Sequence, residues 1–200
     1  MQLLKENMEA TLQDIFKLNG GFLQTKDFER RTQWYQLKKM LENNEVIKLS
    51  SGIYKVNDIR IPQKAEIAIL FPSTVFCMFT AWNYHKLSTA NPWAFHVAVE
   101  YKEKVKKPDY PPVIFYYWRN QPLNLGITEI EEEGYKIRIY DLEKSVCDAI
   151  RFRNKVGIDT VSEILKNYLK RQDKDLDKLI RYAKILRIEK FVRETITLML

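Results

Sequence analysis

One change of hydrophobic period, inside the first sixty residues, constrains this fold more than any other feature of the chain. Leu4, Met8, Leu12, Ile15, Phe16 and Leu18 recur at helical spacing until Asn19-Gly20-Gly21 stops the run. Thr25 is placed to cap a short second helix over Lys26 to Arg30, with Phe28 turned inward, and Thr32 offers the next N-cap. Behind it, Trp34, Leu37, Met40 and Leu41 share one face of a third helix, which Asn43-Asn44 ends. The period then shortens. Val46, Ile47 and Leu49, the polar turn Ser50-Ser51-Gly52, and Ile53 to Val56 read as a β-hairpin.

Helix, short helix, tight turn, helix and hairpin is the order of a winged helix-turn-helix, in which the third helix enters the major groove and the wing touches phosphates. Burying Trp34, Leu37 and Leu41 leaves Gln33, Tyr35, Gln36 and Lys39 on the outer face. Glutamine can read adenine through two hydrogen bonds, and lysine can reach guanine or phosphate. Lys26, Arg30, Arg31 and Thr32 flank the helix N-terminus, where backbone amides favour an anion. Lys48, Ser51 and Lys55 are the wing's candidate DNA contacts. The expected partner is double-stranded DNA; a winged helix that binds protein is the alternative.

Beyond a connector at Asp58 to Pro62 the pattern is mixed. Lys64 to Phe71 and Val75 to Lys86 read as helices, and Trp93 to Tyr101 and Val113 to Trp118 as strands. Leu125 to Glu132 and Tyr135 to Tyr140 form a further strand pair turning near Glu133-Gly134. Asp141 caps a helix to about Arg153, Gly157 breaks it, Asp159 or Thr160 starts another that reaches about Arg171, and Asp175 to Leu200 is a last helical region, whole or divided. The expectation is an α+β chain: a winged helix-turn-helix over residues 1–60 and a mixed α/β interaction domain over 61–200.

Charge qualifies the DNA reading. The net charge of +7 is spread as +2 over residues 1–62, +1 over 63–140 and +4 over 141–200. A basic balance permits nucleic-acid binding without requiring it. In the last helices Arg151, Arg153, Lys155, Arg181, Lys184 and Arg187 offer a second basic surface that can extend a DNA footprint. The first residues lack the apolar core of a signal peptide, and the apolar stretch from Ala65 to Ala81 is broken by Glu66 and Pro72. Cys77 and Cys147 read as reduced core residues, so a cytoplasmic protein without a membrane partner is expected.

Motifs of catalysis are sparse. The chain has no Gly-rich phosphate loop, no His-Glu-x-x-His and no Cys-x-x-Cys. His85 and His96 lack acidic or thiol neighbours at metal-ligand spacing. Glu100-Tyr101-Lys102 is half of a nuclease metal site, for which Asp109 in the following loop and Glu66 in an earlier helix are the available further acids; a strand-end charge pair is the reading and a metal-dependent nuclease-like enzyme the alternative. No catalytic residue, cofactor or metal is expected.

The run Asp141 to Ile150, continuing Arg151-Phe152-Arg153-Asn154-Lys155-Val156-Gly157-Ile158-Asp159, resembles the AbiEi antitoxin family of abortive-infection toxin–antitoxin systems. So do Leu179 to Ile188, the wing's Ser51-Gly52-Ile53-Tyr54-Lys55, and Ala81 to Ser88 with its aromatic-His pair. Asn43-Asn44-Glu45 departs from the Gly-Glu pair common before that family's first wing strand. The resemblance implies a type IV antitoxin that represses its own operon at inverted repeats. It also implies that the second domain counteracts a nucleotidyltransferase-like toxin, with or without direct binding. On that resemblance the repressor is a monomer in solution or a dimer on DNA.

Overall fold

The computed structural model describes residues 11–199, so Leu4 and Met8 lie outside the described residues. The chain divides into two compact units, residues 1–62 and 63–200. Together they form a mixed α+β structure.

In the first unit, α1 (Leu12–Leu18) is capped by Thr11, whose side chain accepts the Asp14 backbone N–H while Asp14 reaches back to the Thr11 N–H. Three strands follow in the order β1 (Phe22–Gln24), β3 (Ile53–Val56), β2 (Val46–Ser50), all antiparallel, with α2 (Arg31–Glu42) between β1 and β2 in sequence. Leu12, Phe16, Leu23, Leu37, Val46 and Tyr54 form the core. Each element contributes its inward period to one cluster, which is why so short a segment packs.

The first unit departs from the expected pattern at two places. The helix expected over Lys26 to Arg30 is a single 3-10 turn, Thr25–Asp27, preceded by β1. Pairing of Phe22, Leu23 and Gln24 with β3 captures the chain before Thr25, so only one turn of helix fits before α2. The N-cap of α2 is Arg30, not Thr32, which is an exposed residue inside the helix.

In the second unit a five-stranded sheet runs in the order β6 (Val113–Trp118), β5 (Phe95–Glu100), β4 (Val75–Phe76), β8 (Tyr135–Tyr140), β7 (Ile127–Glu132). β5 pairs with β6 and β4 with β8 in parallel, and the β4–β5 and β7–β8 pairs are antiparallel. The helices are α3 (Gln63–Leu70), α4 (Met78–Tyr84), α5 (Asn120–Asn124), α6 (Leu142–Arg151), α7 (Arg153–Val156), α8 (Ile158–Leu169), α9 (Leu176–Ile185) and α10 (Glu189–Met199). The helix expected from Val75 to Lys86 begins instead with a two-residue strand, because Val75 and Phe76 pair with Ala98 and Val97.

Alternation along the strands serves two cores. Phe76, Val97, Ile137 and Ile139 pack with Ile67 of α3, whereas Val75, Cys77, Ala98 and Tyr140 pack with Trp82, Val146, Ile164, Tyr168 and Leu179. The larger core is pinned by polar contacts as well: Trp82 Nε1 donates to the Ser145 carbonyl at 2.8 Å, and the Tyr140 hydroxyl to the Leu123 carbonyl at 2.6 Å. Gly126 must be glycine, since its φ is +71° and an added Cβ would stand 2.7 Å from Lys144 Cβ.

Candidate nucleic-acid interface

α2 buries Gln33 and Leu37, with Met40 and Leu41 half-buried. The opposite stripe is Arg31, Tyr35, Lys38, Lys39 and Glu42, all exposed. Gln33 is therefore not a base reader. Its Oε1 accepts the backbone N–H groups of Glu29 at 2.9 Å and Arg30 at 3.0 Å, closing the start of the helix. Trp34 takes the opposite correction: expected in the core, it is 49% exposed and stands edge-on to Phe28 with ring centroids 5.0 Å apart. Gln36 is exposed but lies on the flank facing α1, where it shares a shallow 390 Å³ cavity with Gln13, Lys39 and Asn43.

Lys38, which the sequence pattern does not single out, lies one turn after Tyr35 on the exposed stripe, 3.8 Å from Glu42. An exposed pair of this kind is weak and leaves the ammonium available to a phosphate. Lys26 is exposed on the 3-10 turn, and Arg30 is exposed at the N-cap.

The hairpin presents Lys48 and Ser51 to solvent and leaves Lys55 half-buried on β3. Its tip is held in place from behind. The Thr25 N–H donates to the Gly52 carbonyl at 2.8 Å, and an added Cβ at Gly52, whose φ is +74°, would meet Thr25 Oγ1 at 2.7 Å. Glycine at the hairpin tip thus sets how close the hairpin comes to the turn preceding α2.

The second basic surface does not form as expected. Arg151 is drawn into packing: its guanidinium lies 5.8 Å from the Trp118 ring and 5.3 Å from the Phe152 ring, and its buried Nη1 has no hydrogen-bond partner among the described residues. Arg153 donates to the Ile150 carbonyl at 3.2 Å and stacks 4.2 Å from the Phe191 ring. Lys155 on α7, Arg181 and Lys184 on α9, and Arg187 just past the end of α9 remain exposed.

The stretch that carries the family resemblance is an electrostatic knot in the second unit. Asp141 caps α6 by accepting the Lys144 N–H at 2.9 Å. Lys144 Nζ meets Asp148 Oδ2 at 2.6 Å with both side chains fully buried, and it lies 4.0 Å from the Tyr140 ring and 4.4 Å from the Trp118 ring. Burial pushes the Asp148 carboxyl up from its ordinary range, against the pull of Lys144. Lys178 of α9 bridges Asp141 at 3.1 Å and Glu143 at 3.0 Å. Burial there works against its charge, but the bonds to Glu143 and Asp141 prevail and raise its pKa above the lysine range.

His96 Nδ1 lies 2.9 Å from the Tyr116 hydroxyl, and burial lowers the imidazole to about 4, so it is neutral at pH 7. His85 Nε2 lies 2.7 Å from the Tyr140 carbonyl, which requires a proton on that nitrogen. Among the described residues no three His, Cys, Asp or Glu side chains gather to hold a metal ion. Glu100 and Lys102 are exposed at the end of β5. Among the described residues no helix is long and apolar enough to cross a membrane.

No family model and no curated protein matches the chain. Among solved structures it is similar to the RV2827C protein from Mycobacterium tuberculosis, with a TM-score of 0.54 and 10% sequence identity, over 86% of this chain and 69% of that one. At that identity the likeness shows the fold alone, and that fold is α+β.

Proposed function

We propose that the first unit is a winged helix-turn-helix that binds double-stranded DNA, with α2 in the major groove and the β2–β3 hairpin on the flanking phosphates. The observation that carries this reading is the exposed stripe of Arg31, Tyr35, Lys38 and Lys39 on α2, with Lys48 and Ser51 on the hairpin that follows. A helix whose buried side chains close its own core presents such a stripe to a groove as a rigid body. Together with the resemblance of residues 141–159 to AbiEi antitoxins, this supports an antitoxin that represses its own operon and counteracts a nucleotidyltransferase-like toxin.

A promoter–reporter assay paired with a growth assay tests both halves. The chain should silence a reporter driven by the DNA upstream of its own gene, and restore growth of cells expressing a neighbouring nucleotidyltransferase-like gene. An unsilenced reporter contradicts the repressor, and unrescued growth contradicts the antitoxin.

A second reading has its own observation. Trp34 and Tyr35 are 49% and 65% exposed on α2, and paired exposed aromatics are common at protein interfaces. A protein-binding α2 differs from a DNA-binding one in losing little affinity as salt rises.

A further inference from the structure

The second unit carries an open cavity of 490 Å³, bordered by the N-terminal ends of β5 and β6, by α4 and by the start of α3. Its volume falls in the range of small-molecule sites. Three large rings stand around it, each substantially in water: Trp93 at 74%, Tyr110 at 64% and Tyr84 at 44% exposure. Among the described residues, neither Trp93 nor Tyr110 packs against another ring or a cation. The Asn83 and Asn91 side-chain amides also line the cavity and make no hydrogen bond to other described residues. The Gln63 amide donates to the Tyr110 hydroxyl, which fixes that ring at the rim.

Charge lies close by along the chain. The β5–β6 connection carries Lys102, Lys104, Lys106 and Lys107 against Glu103 and Asp109 and then delivers Tyr110 to the cavity. Tyr110 follows Lys107 by three positions, a reach of at most about 10 Å. Lys64, at the cavity wall, is already neutralised by Glu132 at 2.7 Å.

Flat exposed rings beside unengaged amides select a ligand that is itself flat and carries hydrogen-bond donors and acceptors on its edge. A base in a duplex offers no free face to stack on, whereas an unpaired base offers both its faces and its pairing edge. We infer that this cavity binds an unpaired nucleobase, stacked on Trp93 or Tyr110, with its edge read by Asn83 and Asn91 and its phosphate met by Lys106 or Lys107. The base can be carried by a free nucleotide or by a single strand; both present the same chemistry to the cavity.

The test uses the full chain with Trp34→Phe, which leaves Trp93 as the exposed indole beside the buried Trp82 and Trp118. Tryptophan emission is followed while each of the four ribonucleoside 5′-monophosphates is added. In parallel, a labelled mixed-sequence RNA of about eight nucleotides is followed by anisotropy. At least one probe should quench the emission or gain anisotropy; the Asn83→Ala/Asn91→Ala pair, which keeps the reporting indole, should weaken either response about tenfold or more, and Trp93→Ala should weaken the anisotropy response likewise. Response to monophosphates assigns the free nucleotide as sufficient; response to the strand alone assigns a strand. Duplex DNA binding should be unchanged in Trp93→Ala, which separates this site from α2. No response to millimolar nucleotide or to tens of micromolar RNA overturns the inference, and so does an anisotropy response that Trp93→Ala leaves intact or an emission response that the Asn83→Ala/Asn91→Ala pair leaves intact.

Discussion

Lys144 and Asp148, one helical turn apart on α6, form an ion pair at 2.6 Å from which water is wholly excluded. Tyr140 and Trp118 place their ring faces beside the ammonium, so its remaining hydrogens meet π-density instead of solvent. Asp148 Oδ1 has no hydrogen-bond partner among the described residues, which leaves the carboxylate dependent on Lys144. Removing one partner of such a pair is costly, because the other charge stays buried without compensation. Lys144→Ala should lower unfolding free energy by about 3–5 kcal/mol. Lys144→Met with Asp148→Leu should recover most of it, as read by urea denaturation. A double variant no more stable than Lys144→Ala contradicts this account of the knot.

Gln33 separates a structural from a recognition role at the start of α2. Its Oε1 accepts two backbone N–H groups, so Gln33→Ala should cost about 1 kcal/mol of stability. Gln33→Glu keeps the acceptor and should retain the midpoint of thermal unfolding. DNA affinity in Gln33→Glu should also stay within a few-fold of the parent, because the side chain faces inward. A loss of binding with unchanged stability would falsify this placement.

His96 predicts an acid-labile fold. Its pKa falls from the ordinary 6.5 to about 4, with burial as the cause. Between those values the unfolded chain binds a proton that the folded chain refuses. Stability therefore rises with pH across the window and is lost on acidification, with this group adding about 1.4 kcal/mol per pH unit. His96→Asn should flatten the slope of stability against pH between pH 6.5 and 4 by about one proton. An identical slope in the variant assigns the acid sensitivity to other groups.

Much of the element order was legible in the sequence, and the errors have physical causes. α1, α2 and the β2–β3 hairpin were visible because each has a period and a stop signal of its own. The exchange of Gln33 for Trp34 was not. A glutamine that reaches back to backbone amides looks in sequence like any polar residue, and Trp34 finds its contact in Phe28, outside the helix. β4 was hidden because two residues cannot display a period of two, and only pairing with β5 and β8 makes Val75 and Phe76 a strand. Arg151 and Arg153 looked like an exposed basic face until Trp118, Phe152 and Phe191 covered their guanidinium groups. Trp118 and Phe191 lie on β6 and α10, beyond the reach of a local pattern.

Fluorescence anisotropy of a labelled duplex carrying the DNA upstream of the chain's own gene, measured across a range of salt concentrations, tests the central claim most directly. The wild-type chain should bind with an affinity that falls steeply and linearly in log salt. Lys38→Ala/Lys39→Ala should weaken binding about tenfold or more and lower the salt slope by roughly 1–2. Absent or salt-insensitive binding, or a double variant that binds with the parent's affinity and slope, contradicts α2 as the DNA-reading helix.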